Sequence, residues 1–161
     1  MTTSTKSARR PLTADEPDLL RLDRQVCFAL AVASRNVIAL YRPLLEPMGL
    51  THPQYLVMLA LWEDSPLRVS ELASRLSLEP ATLSPLLKRL EASGMVTRGR
   101  DPLDDRALAV SLTRKGAAAR KRAERIPPAI IERLGMDLSE LEAMRDGLTR
   151  LIEAAAPPPS A

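Results

Sequence analysis

One cysteine and one histidine leave this 161-residue chain few ways to do covalent or metal chemistry. A single thiol cannot close an intrachain disulfide. One thiol and one imidazole do not make a ligand set, so no metal and no other cofactor is expected. Cys27 lies in RLDRQVCFAL, an apolar stretch with helical spacing. A lone cysteine there is either a small buried hydrophobe or, as the thiolate, a nucleophile open to oxidation. The residues alone leave both readings standing. Cys27, Ser34 and Tyr41 recur at intervals of seven, near one face of a helix. Along one straight helix Cys27 and Tyr41 would be roughly 21 Å apart. They can meet only across a two-fold axis, the thiol of one chain beside Tyr41 of a second copy. A thiol peroxidase is disfavoured, since no Pro-x-x-x-Thr-x-x-Cys frame surrounds Cys27 and no second cysteine completes a cycle. No enzymatic activity is expected.

A second set of residues points to DNA. In the stretch 66–113, Val69, Leu72, Ala73 and Leu76 form one helical stripe, and Leu83, Leu86, Leu87 and Leu90 form another. Pro80 suits the first turn of the second helix, and Ser93-Gly94 suits its end. After Gly94 the period becomes two: Leu108, Val110 and Leu112 alternate with Ala107, Ala109 and Ser111, and RGRDPLDDR forms a polar tip. Two short helices followed by a two-stranded ribbon is the order of a winged helix-turn-helix. Thr82 and Ser84, near the start of the second helix, would face base edges, and Lys88 and Arg89 would face phosphates. Arg98, Arg100 and Arg106 place three cations on the wing, in reach of a minor groove. Asp104 is spaced to hold the Arg106 guanidinium by a charge-assisted bond.

The elements around this unit are helical. A first helix is expected from Pro17-Asp18 to about Tyr41, with Leu19, Leu22, Val26, Leu30, Ala33, Val37 and Leu40 as its stripe. Thr51 caps the next helix, and Leu56, Leu59, Ala60 and Trp62 are expected to face inward. Thr113 opens a helix whose Lys115, Arg120, Lys121, Arg122 and Arg125 read as a solvated face, and Pro127-Pro128 interrupts it. Ser139 with Glu142 has capping-box spacing for the last helix. The expected class is therefore mainly α, a winged helix-turn-helix with a two-stranded β-wing whose N- and C-terminal helices form a dimerisation region. The boundaries are a disordered arm over 1–16, one domain over 17–155 and a disordered tail over 156–161. Within the domain, 51–113 is the winged unit, and 17–50 and 114–155 are dimerisation helices. A net charge of +3 and only four aromatic residues suit a Leu/Ala/Val helical core, and the placement of charge says more than its sum. No run of about eighteen apolar residues is present, so no membrane span is expected. The N-terminus lacks a secretory apolar region, so a cytoplasmic place is expected.

Residues 20 to about 155 resemble the multiple antibiotic resistance regulator (MarR) family of dimeric winged-helix repressors. RDPLDDRALAVSLTRKG is similar to that family's wing signature, with Asp104 and Arg106 at its characteristic positions. LDRQVCFAL, LYRPLLEPMGLTHPQYLVMLALWE and TLSPLLKRLEASG resemble the organic hydroperoxide resistance regulators of that family. The resemblance implies a homodimer on a palindromic double-stranded operator. It also implies that an organic hydroperoxide oxidises Cys27 to a sulfenic acid, which a low-molecular-weight thiol or an intersubunit disulfide traps, releasing DNA. It makes Tyr41 of the other subunit a hydrogen-bond donor to Cys27. Where such regulators read T-Y-P-Q-Y-L, this chain has Thr51-His52-Pro53-Gln54-Tyr55-Leu56, which places His52 near the thiol. With no second cysteine, this chain would be of the one-cysteine type. Its LEPATLSPLL also departs from LDSGTLTPLL in the recognition helix, which implies a different operator. The rival expectation is a MarR-type repressor released by a small apolar or phenolic ligand.

Overall fold

The computed structural model describes residues 18–101 and 104–156. The arm expected over 1–16, the wing tip at 102–103 and all of the tail beyond Ala156 lie outside them. By compactness the chain falls into two units, residues up to Val37 and residues from Ile38 on.

In the first unit the chain does not begin one long helix. Leu22–Arg24 forms a single 3₁₀ turn, flanked by an Arg21–Asp23 ion pair at 2.9 Å, and Gln25 is extended. The α-helix α1 covers Val26–Leu45, its first hydrogen bond running from the Ala29 amide to the Gln25 carbonyl. The expected start at Pro17-Asp18 is thus wrong by about two turns, because Asp18 and Asp23 engage nearby backbone and side-chain groups. The stretch Val26–Met48 is long and apolar enough, by length and composition alone, to cross a membrane, a property that helices of soluble proteins share. Arg35, Asn36 and Arg42 interrupt it with polar groups.

The second unit carries the core. A 3₁₀ turn, Glu46–Met48, closes on Gly49 in the left-handed region (φ 69°). Helix α2 spans His52–Glu63, and the side-chain oxygen of Gln54 accepts from the Thr51 amide at 2.9 Å. The side of α2 expected to be buried is partly wrong. Leu56 and Leu59 are about 40 % exposed, while Tyr55, Val57, Met58, Ala60 and Leu61 are buried. The helix is apolar around most of its circumference, so periodicity cannot select a face.

The winged unit follows: strand β1 (Leu67–Arg68), helix α3 (Val69–Arg75), helix α4 (Pro80–Ala92), and strands β2 (Val96–Asp101) and β3 (Asp104–Leu112). Pro80 occupies the first turn of α4. Leu83, Leu87 and Leu90 are fully buried, and Gly94 ends the helix at φ 73°. The sheet is antiparallel in the order β1-β3-β2, with Leu67 opposite Val110 and Arg98 also opposite Val110 from the other side. The expected two-stranded wing therefore gains a third, two-residue strand at its base. Beyond it lie α5 (Arg114–Ala123), α6 (Ile126–Leu134) and α7 (Leu138–Ala155). Thr113 caps α5 as expected, its hydroxyl accepting from the Gly116 amide at 3.0 Å. The cap of α7 is Asp137 with Glu140, two residues before the expected Ser139 and Glu142; the Glu140 carboxylate accepts from the Asp137 amide at 2.9 Å.

Candidate functional site

The candidate recognition surface is built on α4. Burial of Leu83, Leu87 and Leu90 on one side leaves Thr82, Ser84, Lys88 and Arg89 exposed on the other, as amphipathic spacing requires. The wing cations are not equivalent. Arg98 is tied to α4: its Nε and Nη2 donate to Glu91 Oε2 at 3.0 and 2.7 Å, and its amide donates to Oε1 at 3.2 Å. This pairing holds the Glu91 carboxyl below its ordinary pKa. Arg98 therefore fixes the angle of the wing against the recognition helix. Arg100 and Arg106 are exposed on the ribbon. Asp104 does not hold the Arg106 guanidinium as its spacing suggested; its Oδ1 accepts from the Arg106 backbone amide at 3.0 Å and shapes the turn-out of β3.

Two residues that the sequence reading did not single out complete the base of the wing. Asp101 is 7 % exposed and pairs with Arg68 on β1, beside the irregular register at Arg100/Asp101. Thirty-three residues separate them in the chain, so no local pattern could have joined them.

The first turn of α5 links the end of the recognition helix to α2. The Thr113 hydroxyl donates to the Gly94 carbonyl at 2.6 Å, and Lys115 Nζ donates to the Ser93 carbonyl at 2.7 Å. Trp62 Nε1 donates to the Gly116 carbonyl at 2.9 Å. A Cβ on Gly116 would stand 2.0 Å from the Met95 carbonyl oxygen, so only glycine permits this approach.

Trp62 ends a run of aromatic rings. Tyr41 and His52 lie 5.0 Å apart edge to face, Tyr41 and Tyr55 lie 5.9 Å apart, and Tyr55 and Trp62 lie 6.3 Å apart. Two of the three residues expected at the thiol are thus neighbours in one chain. Burial pushes the Tyr41 hydroxyl above its ordinary value of 10.0 and the His52 imidazole below 6.5. Tyr41 also lines a cleft of about 280 Å³ floored by Ile130, Ile131, Leu138 and Leu141. Cys27, in the other unit, is exposed and sits in the first turn of α1, not mid-helix.

A three-stranded wing on a helix-turn-helix, framed by helices at both chain ends, defines a winged-helix DNA-binding transcriptional regulator. The profile of the MarR family matches residues 50–108. The transcriptional regulator TtmR of Methylorubrum extorquens is 43 % identical over 146 residues, 91 % of this chain and 74 % of that protein. The organic hydroperoxide resistance transcriptional regulator of Bacillus subtilis is 38 % identical over 136 residues, 84 % of this chain and 92 % of that one. The chain belongs to the MarR family. Reduced AbfR bound to DNA has the same fold, with a TM-score of 0.68 at 34 % identity over 83 % of this chain and 93 % of that one. So has CouR of Rhodococcus jostii bound to p-coumaroyl-CoA, with a TM-score of 0.71 at 26 % identity over 82 % and 94 %.

Proposed function

We propose that this chain is a cytoplasmic, homodimeric repressor that leaves a palindromic operator when an organic hydroperoxide oxidises Cys27. The observation that carries the reading is the exposed thiol in the first turn of α1, in a chain similar to a hydroperoxide-resistance regulator. The thiolate attacks the peroxide, the O–O bond breaks, and the products are a sulfenic acid and an alcohol. A low-molecular-weight thiol then condenses with the sulfenic acid, releasing water and leaving a mixed disulfide. Because Cys27 is the only cysteine, the other thiol comes from a small molecule or from a second copy of the chain. In the dimer, Tyr41 of the partner subunit supplies the hydrogen bond to the thiolate. His52 stands against Tyr41 and arrives on the same surface.

On this reading, 51–113 is the reading head and 17–50 with 114–155 form the dimer. Thr82 and Ser84 face bases, while Lys88, Arg89, Arg100 and Arg106 face the backbone and minor groove. Arg98 acts by aiming the wing rather than by touching DNA.

The test is operator release. Duplexes selected by the reduced protein from random sequence are bound by wild type and by Cys27→Ser. Cumene hydroperoxide should weaken binding by wild type at least tenfold and leave Cys27→Ser bound. Release of both proteins, or of neither, would overturn the thiol switch.

A second reading, release by a small apolar or phenolic ligand, is favoured by a different cleft. About 310 Å³ lies between α2 and α5–α6, lined by Tyr55, Leu59, Trp62, Ala123 and Pro127. Benzoate-type acids in the same assay separate the two readings: release of Cys27→Ser by the acid supports the second.

A further inference from the structure

A proline stands where α4 accommodates one least well. Pro80 opens the helix, where a missing amide costs nothing, but Pro85 lies inside it. There a proline removes the amide that would bond the carbonyl four residues back, and its ring crowds that carbonyl. The Ala81 carbonyl therefore lacks the donor that a regular helix supplies. Proline is the least favourable residue for a helix interior, and Pro85 gains no burial there, since it is exposed. The helix still runs through it to Ala92, held by Leu83, Leu87 and Leu90, which are fully buried on the opposite side. Ala81, Ser84, Pro85 and Lys88 have helical spacing and share one exposed stripe. Its centre joins two apolar groups, the Ala81 methyl and the Pro85 ring, to a carbonyl that needs a donor. In the major groove a thymine presents a methyl, and its paired adenine presents an N6 amine on the same edge. A C·G pair offers an amine but no methyl.

We propose that Pro85 is a specificity-determining residue that reads a T·A pair. Its ring and the Ala81 methyl hold the thymine methyl, and the Ala81 carbonyl that it frees accepts from the adenine N6 amine. The inference rests on the reading that α4 enters the major groove, and it adds a backbone contact to those of Thr82 and Ser84. It involves neither the thiol nor any ligand, so it stands whether or not Cys27 is a sensor.

The experiment uses duplexes that the reduced, full-length protein selects from random sequence. In one half-site each thymine is replaced in turn by deoxyuridine, which lacks only the methyl. Each paired adenine is replaced by purine deoxyriboside, which lacks only the amine. At one base pair both changes should weaken wild type, each by about fourfold, the effect of one buried methyl group or one hydrogen bond. Pro85→Ser removes the ring and restores the amide. It should bind the three duplexes of that pair within about twofold of one another. Its melting temperature should be no lower than that of wild type, since a helix interior gains by losing a proline. Lys88→Ala, which removes a phosphate contact, should weaken all three duplexes alike. A wild type indifferent to every methyl and amine deletion, or a Pro85→Ser protein as sensitive as wild type at every pair, would overturn the proposal. If Lys88→Ala then binds as tightly as wild type, the reading of α4 falls as well; if it binds more weakly, only the role of Pro85 falls.

Discussion

At the scale of single residues, the histidine is the most informative. The sequence could show only that His52 stands beside the helix-capping Thr51, where a side chain is as often solvated as packed. In the fold it is half-buried and set edge-on to Tyr41, and that burial lowers its pKa below 6.5. The unfolded chain therefore holds more protons on His52 than the folded chain does just below pH 6.5. Stability falls as pH drops through that window, and the contribution is flat above it. The window lies lower than an ordinary histidine would place it. His52→Tyr should remove this acid-side loss while leaving the melt at pH 7.5 within a few degrees of wild type. Melting curves of both proteins at pH 7.5, 6.5 and 5.5 check it: parallel acid-side losses would show that His52 does not titrate as its burial requires. The legibility of the other site residues was uneven. Cys27 was found by being unique, but its place in the first turn was not, because helical spacing continues upstream through Leu19 and Leu22. Asp104 was found by its spacing to Arg106, but spacing cannot tell a guanidinium from a backbone amide as the partner.

At the scale of elements, punctuation was legible and faces were less so. Pro80, Ser93-Gly94 and Thr113 mark ends through local backbone chemistry that two or three residues determine, and each ends its element where expected. The buried side of α2 depends on what packs against it, and a helix apolar nearly all round does not record that. Strand β1 has two residues and exists only because β3 offers a free edge. The join of α5 to the recognition helix was equally invisible, since Gly116 in the sequence reads as a poor helix former. Its role is closeness to Met95, with its carbonyl taken by Trp62 and its amide by Thr113. Gly116→Ala forces the backbone of α5 or of Met95 to shift, an overpacking that should cost about 3 kcal/mol. Urea unfolding would register it as a lower midpoint with an unchanged slope. A loss below about 0.5 kcal/mol, within the range of ordinary surface changes, would mean that the junction is loose.

At the scale of the whole molecule, the two ends of the chain carry apolar surface that the single chain does not bury. Leu19, Leu20, Leu22 and Val26 are 53 to 91 % exposed near the N-terminus. Helix α7 has no buried residue, and Leu138, Met144, Leu148, Leu151 and Ile152 are 38 to 66 % exposed along it. Spread over one helix face, such residues mark a surface that another surface covers. Lipid is one possible cover, because Val26–Met48 is long and apolar enough to span a membrane. Against it, Arg35 and Arg42 stand exposed within that stretch, and charges at that depth are costly. A second copy is the cover that also accounts for α7, whose stripe is flanked by Arg145, Asp146 and Arg150 rather than by lipid-facing residues. The full chain should therefore sediment as a dimer at micromolar concentration without detergent, and its melting temperature should rise with protein concentration. Deletion of 139–161 removes most of the α7 stripe. The truncated chain should sediment as a monomer or aggregate, and its operator affinity should fall at least a hundredfold through loss of the second half-site. A monodisperse full-length monomer, or a truncated chain that still dimerises, would place the interface elsewhere.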